Sequence, residues 1–122
     1  MSITPHAISR TAEPYETEDG VQPFSDWLDS IRDVHTKGRI DARIRKIEEG
    51  GFGDHRHLGE GVFEARLAFG PGWRVYFGVD PGKIVLLWGG TKKGQTADIK
   101  NAKHFWADYK RRKGVGRAKG EK

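Results

Sequence analysis

The chain has 122 residues, no cysteine and a formal net charge of +5. This length fits one domain with one modest core, and the composition excludes disulfides and cysteine-based zinc sites. No apolar run reaches the roughly 18 residues that a membrane span needs, and residues 1–20 lack the apolar centre of a secretory signal. We therefore expect a cytoplasmic protein without a membrane partner.

The charge is unevenly distributed along the chain. Residues 1–31 carry a net charge of −5, residues 32–109 carry +4, and residues 110–122 carry +6. A Lys/Arg run with glycines is typical of a disordered tail, which either aids solubility or contacts nucleic acid. We expect an irregular N-terminal extension over 1–12, one domain over 13–110, and a disordered basic tail over 111–122.

The first half of the domain predicts one strand and two helices. Residues 14–20 have the character of an edge strand that ends in a turn. Pro23 can begin a helix, and apolar residues follow at helical spacing. A second helix is expected over 37–49, and the glycine-rich segment 50–61 is expected to be a loop.

The second half predicts three strands and a final helix. The strands are expected over 62–69, 73–79 and 83–89, and Thr96 can cap the helix that follows. Consecutive helices followed by consecutive strands favour an α+β fold with an antiparallel sheet. One face of this sheet should carry the helices, and the other face can remain open to solvent.

The first hairpin gathers polar side chains on one face of the sheet. With a three-residue loop over 70–72, Arg66 lies opposite Tyr76 and Ala68 lies opposite Arg74. Because side chains alternate along strands, the odd-numbered apolar residues then form the core. The even-numbered residues, including Arg66, Arg74 and Tyr76, face the other way.

A three-residue loop over 80–82 would extend this polar face. Trp88 would then lie beside Arg74, and Leu86 would lie beside Tyr76. Lys92 and Lys93 follow at the end of the sheet where Arg74 lies. A one-residue bulge would reverse the alternation and change this arrangement.

Arginines, lysines and aromatic side chains on one face suit RNA, since cations hold phosphates and rings stack on bases. Metal-free RNA cleavage also needs a base, an acid and cations that stabilise the transition state. Tyr76 is a candidate proton donor or acceptor, with a pKa lowered by the adjacent cations, and a lysine is another candidate base. The alternative is a half-exposed sheet face on which Arg66 pairs with nearby carboxylates.

His55 and His57 are the other candidates for chemistry. They could form an acid/base pair, but two loop histidines without a third ligand nearby are weak evidence for a metal site. A solvated loop is the alternative, and we predict no metal.

Three segments together resemble a known family. They are PFSDWLDSIRD, ARIRKIEEGGFGDHRHLGEGVFEARLAFGPGWRVYF and IVLLWGGTKKGQTADIKNAKHFWADYK. Their order and spacing are similar to the HigB-like addiction-module killer proteins of the RelE/ParE superfamily, from about Tyr15 to Lys110. Trp73 and Trp88 depart from the family's usual residues.

The resemblance implies a RelE/ParE-like fold, with a twisted antiparallel sheet, an N-terminal helical hairpin and a C-terminal helix. It implies a type II toxin that cleaves mRNA on the ribosome without a cofactor. It also implies a helix-turn-helix antitoxin as partner, with operator DNA bound only through the complex. Arginines of the helical hairpin, such as Arg43 and Arg45, would contact the antitoxin.

The resemblance and the pattern of the sheet lead to one set of site residues. The predicted catalytic residues are Arg66, Arg74, Tyr76 and Lys92, and the predicted RNA-binding residues are Lys93, Gln95 and Trp88. Because function does not follow from fold alone, two alternatives stay open. One is a toxin that inhibits a protein target such as DNA gyrase, and the other is an inactive module kept for antitoxin binding.

Overall fold

The computed structural model describes residues 9–120, with side chains described as far as residue 114. The elements follow in chain order, with a short 3-10 helix, Lys92–Gly94, before the last of them. They are β1 (Thr11–Pro14), α1 (Pro23–Ser30), α2 (Val34–Glu48), β2 (His55–Gly59), β3 (Val62–Leu67), β4 (Trp73–Asp80), β5 (Lys83–Thr91) and α3 (Gln95–Gly120). The fold class is α+β, as the sequence predicts.

The five strands form one mixed sheet in the order β1-β5-β4-β3-β2. Neighbours β2 to β5 pair antiparallel, whereas β1 runs parallel to β5, with Thr11 opposite Lys83 and Pro14 opposite Leu86. The prediction of an entirely antiparallel sheet is therefore wrong at this edge. Sequence spacing gives no signal for the direction of a short strand whose partner lies about 70 residues away.

Two strands differ from their predicted positions. β1 occupies 11–14 rather than 14–20, so part of the segment expected to be an irregular extension belongs to the sheet. β2 occupies 55–59 inside the predicted loop 50–61 and pairs with β3 at the opposite edge. Three of its five residues are exposed, so it lacks the apolar alternation that marks a strand in a sequence.

The first face of the sheet carries the larger apolar core. Phe24 of α1 and Ile40 and Ile47 of α2 are buried here. They pack with strand residues of odd number in β3 and β4 and of even number in β5, which are Ala65, Leu67, Val75, Phe77, Ile84 and Leu86. α1 and α2 follow β1 in the chain and pack against β1 and β5.

The second face is covered by α3, so the expectation of an open face is wrong. Ala102 and Trp106 are buried against Val62, Tyr76 and strand β5. The first face is already occupied by α1 and α2, so the apolar side of α3 can be buried only here. Gly78 makes room, since a Cβ at that position would lie 2.5 Å from the Trp106 ring.

Polar contacts hold α3 along its length. The Tyr15 hydroxyl donates a hydrogen bond to Asp108 Oδ2 at 2.6 Å, and the Tyr109 hydroxyl donates to Asp80 Oδ2 at 2.6 Å. α3 continues to Gly120, so it extends into the segment predicted to be a disordered tail, of which 121–122 lie outside the described residues. Residues 1–8 of the predicted extension also lie outside them. No helix in the described part is long and apolar enough to cross a membrane.

Candidate anion-binding site

The register of β3 and β4 places two arginines directly opposite each other. Arg66 pairs with Arg74, and Tyr76 pairs with Glu64, whereas the sequence predicted Arg66 opposite Tyr76. The reason is the loop, which has five residues, 68–72, instead of three. Gly70 and Gly72 take positive φ angles of 56° and 80°, which glycine adopts without strain. Each β3 residue therefore faces a β4 residue two positions earlier than predicted. A shift by two positions keeps every side chain on its predicted face of the sheet.

Like charges opposite each other in a sheet are destabilising, so the Arg66–Arg74 pair needs a compensating anion. Arg66 has one, since its Nη2 lies 3.1 Å from Asp54 Oδ1. Among the described residues, Arg74 donates only to the carbonyl oxygens of Gly72 and Trp73. The Nε atoms of both arginines are buried without a hydrogen-bond partner among the described residues. The pair is therefore suited to hold a phosphate or a carboxylate from outside the chain.

Lys92 lies at the same end of the sheet as Arg74. Its amide donates to the carbonyl of Gly72 at 2.9 Å. A Cβ on Gly72 would lie 3.2 Å from Lys92 Cβ and 3.4 Å from Arg74 Nη1, so the Arg74 guanidinium and the base of the Lys92 side chain both lie against this loop. Lys92 and its neighbour Lys93 are exposed, and neither has an ion pair among the described residues. The structure thus brings Arg66, Arg74, Lys92 and Lys93 to one end of the sheet.

Tyr76 is not part of that group, in which Arg74 is buried, Arg66 is partly exposed and the two lysines are exposed. Its side chain is fully buried under α3, and its hydroxyl has no hydrogen-bond partner among the described residues. Burial, and then the carboxylates of Glu64 and Asp98, raise the pKa of Tyr76 above its ordinary value. The prediction of a pKa lowered by cations is therefore wrong, because burial and carboxylates outweigh Arg74. A phenol in this state stays protonated and cannot act as a general base.

Glu64 is a buried carboxylate that sequence reasoning did not assign to the site. It is fully buried, and Oε2 accepts a hydrogen bond from Gln95 Nε2 at 2.6 Å. Its Oε1 lies 3.7 Å from Arg56 Nε. The sequence did contain a signal for this role, because Glu64 is an acidic residue within an otherwise apolar part of β3. A buried charge needs partners, so such a residue is a candidate for a polar site. Gln95, which is predicted to bind RNA, thus links Glu64 to the start of α3.

Trp88 lies beside Tyr76 rather than beside Arg74. β5 contains a bulge at Leu87, so Phe77 pairs with Leu86 and Tyr76 pairs with Trp88. The loop before β5 has two residues, 81–82, instead of the predicted three, because Asp80 pairs with Lys83, and this moves Leu86 to the first face, contrary to the prediction. The Trp88 ring nitrogen donates to Asp98 Oδ1 at 2.8 Å, and its ring lies 5.7 Å from that of Phe105. Trp88 is thus half-buried against α3.

The two histidines lie on the exposed edge strand β2. His55 Nδ1 lies 2.8 Å from the carbonyl oxygen of Gly53, and the His57 ring stacks on Phe63 with centroids 4.7 Å apart. Among the described residues, no group of three histidine or acidic side chains could hold a metal ion.

Comparison with known proteins gives one clear relative. A protein of Haemophilus influenzae, described as an uncharacterized protein, is 42% identical over 81 residues, which are 66% of this chain and 82% of the relative. No protein-family model matches the chain. No solved structure matches it either. The identity and coverage show that the chain belongs to the same family as the Haemophilus influenzae protein.

Proposed function

We propose that the protein is the toxin of a type II toxin–antitoxin system and acts as a ribosome-dependent, metal-independent mRNA endoribonuclease. One observation carries the proposal most directly: Arg66 and Arg74 lie opposite each other, and Arg74 has no carboxylate partner among the described residues. A guanidinium pair in which only Arg66 has a carboxylate partner fits a phosphodiester, whose charge increases in the transition state of cleavage. The resemblance to the RelE/ParE superfamily supplies the biological setting.

Roles within the site follow from exposure and charge. Arg66 and Arg74 hold the scissile phosphate, and the exposed Lys92 and Lys93 hold neighbouring phosphates. Tyr76 is withdrawn from proton transfer by its burial, so Lys92 is the remaining predicted residue for that step. Glu64 and Gln95 tie the start of α3 to β3 behind the arginines.

The proposal includes a helix-turn-helix antitoxin, a cytoplasmic location and operator DNA bound only through the complex. In a RelE/ParE-like arrangement, α1 and α2 form the helical hairpin that faces the antitoxin. Arg43 is not free for such a contact, because it donates to the carbonyl oxygens of Phe52, Asp54 and Arg66. The exposed Arg45 remains available for an acidic partner.

The burial of Tyr76 favours a second candidate, a toxin that binds a protein target such as DNA gyrase. An arginine pair without a proton-transfer partner suffices to bind an acidic protein surface. Binding of this kind needs no RNA chemistry, and it uses the same cationic side chains.

Mapping of cellular RNA 5′ ends after induction separates the two candidates. The nuclease proposal predicts growth arrest with new 5′ ends inside translated messages, and no such ends when translation is blocked. Growth arrest without new 5′ ends, accompanied by loss of DNA supercoiling, would replace it with the gyrase reading. Expression of the free protein without any effect on growth would contradict both.

A further inference from the structure

A second basic surface lies on the other side of the β3–β4 loop. A groove of about 250 Å³ runs between α2 and the end of β3, and its polar lining is cationic. The groove is lined by Arg39, Ala42, Arg43, Lys46, Leu67, Ala68 and Phe69. Arg39 and Lys46 are exposed and have no ion pair among the described residues. Two free cations at one groove require an anionic ligand or solvent.

Arg39 is already arranged to stack on a flat ligand. Its Cζ atom lies 3.7 Å from the centroid of the Phe69 ring. A guanidinium held over an aromatic ring has lost much of its rotamer freedom and offers its outer face to a second planar group. Nucleobases stack on arginine planes as well as on aromatic rings. This geometry favours a nucleic acid strand over an acidic peptide.

The groove is connected to the candidate anion-binding site through one hydrogen bond of Arg43. Arg43 forms its floor and donates through Nη1 to the carbonyl oxygen of Arg66 at 3.0 Å. Arg66 is the cross-strand partner of Arg74. Gly72, beyond Phe69 in the same loop, contacts Lys92 through the backbone. The residues of the groove and of the candidate anion-binding site are therefore linked through the backbone at this end of the sheet.

Resting on the proposed function, we infer that this groove is a second RNA subsite, which binds single-stranded RNA flanking the scissile phosphate. Arg39 stacks on a base, and Lys46 binds a backbone phosphate. Arg43 shapes the floor and is a structural residue. The ligand class is single-stranded RNA, because duplex bases are already stacked and their planes are closed to Arg39.

The test measures how the full chain binds fluorescein-labelled RNA of two lengths, about 3 and about 12 nucleotides. The combined Arg39→Ala and Lys46→Ala variant should weaken binding of the longer RNA by about tenfold or more, and leave the shorter RNA unaffected. Arg39→Lys keeps the charge but not the plane, so we expect an intermediate loss. Arg45→Ala, on the same helix but outside the groove, should bind like the parent.

The outcomes separate this inference from the proposed function. Equal binding of both RNA lengths by the parent, or unchanged binding by the double variant, overturns the second subsite alone. Failure of the parent to bind either RNA overturns the RNA function and the subsite with it. If the double variant loses binding of an oligoglutamate peptide but keeps the longer RNA, the groove is a protein-docking surface and the inference is wrong. Circular dichroism melting checks that each variant is folded.

Discussion

The two faces of the sheet differ in how they combine packing with polar groups. The first face, under α1 and α2, is built from aliphatic and aromatic residues. The second face, under α3, buries Glu64, Arg74 and Tyr76 beside its apolar residues. A buried charge is costly unless it is paired, so a face that keeps unpaired polar atoms next to cations indicates function rather than stability alone.

The two ends of the strands differ on the second face, since one end is packed under α3 and the other holds the candidate site. Towards Gly78, the face is closed by Trp106 of α3. Towards Trp73, the arginines reach the end of the sheet and meet the exposed lysines. One strand, β4, thus contributes both to the covered half through Tyr76 and to the candidate site through Arg74.

The largest expected effect on stability comes from removing the aromatic residue that closes either face. Phe77→Ala opens the first core, and Trp106→Ala uncovers the second. Both side chains are buried, and each change should lower the free energy of unfolding by about 3–5 kcal/mol. Urea unfolding followed by far-ultraviolet circular dichroism measures this. If Trp106→Ala costs less than about 1 kcal/mol, α3 does not close the second face.

Gly78→Ala tests the same contact by adding an atom. The new Cβ would meet the Trp106 ring at 2.5 Å, so we expect a loss of about 1–3 kcal/mol from overpacking. Gly38→Ala is the matched control, because Gly38 lies in α2 with open space around its Cβ position. It should stabilise the protein by about 0.5–1 kcal/mol. If Gly38→Ala lowered the stability and Gly78→Ala did not, the close contact between Gly78 and Trp106 would be contradicted.

From the Tyr15–Asp108 hydrogen bond, which holds α3 on the second face, we predict that the stability of the protein depends on pH. Hydrogen bonds from Tyr15, Arg111 and Arg112 lower the pKa of Asp108, so its contribution is present above about pH 4 and is lost as the pH falls. Burial, and then Asp108, raise the pKa of Tyr15 to about 12. Its contribution is therefore present below about pH 10 and is lost as the pH rises towards 12.

Urea unfolding across the pH range checks both limits. Asp108→Asn should remove about 1–2 kcal/mol near neutral pH and reduce the loss in acid. Stability that changes with pH in the same way in the parent and in Asp108→Asn would show that other groups carry the dependence.

The smallest expected change is Tyr76→Phe. It removes a buried hydroxyl that has no hydrogen-bond partner among the described residues, so stability should stay the same or rise by up to about 1 kcal/mol. Growth arrest should persist, because a sealed phenol takes no part in proton transfer. Loss of activity in a folded Tyr76→Phe protein would return Tyr76 to the catalytic set.

Much of the fold could be predicted from local patterns. Helical spacing placed α1, α2 and the start of α3, and alternation separated the faces of β3 and β4. The first face follows from the same patterns. Apolar residues such as Phe77 can be buried only in such a core.

The remaining differences come from interactions that are distant in the sequence. The bulge at Leu87 and the five-residue loop over 68–72 depend on pairing that spacing does not determine. The packing of α3 on the second face had one signal in the sequence, which is Gly78 inside a strand. A glycine within a strand often marks a place where another part of the chain approaches the backbone closely. The lowered pKa predicted for Tyr76 failed because burial under α3 was not expected. Arg74 and Lys92 were still placed at one end of the sheet.

In the proposed nuclease, the Arg66–Arg74 pair acts on RNA and the buried Tyr76 does not. The most direct measurement compares the yield of new mRNA 5′ ends after induction of the parent, Arg74→Ala and Tyr76→Phe, at matched protein levels. We expect a loss of roughly 100-fold or more for Arg74→Ala, in line with removal of a transition-state charge partner, and a yield near that of the parent for Tyr76→Phe. Full cleavage by a folded Arg74→Ala protein would contradict this expectation.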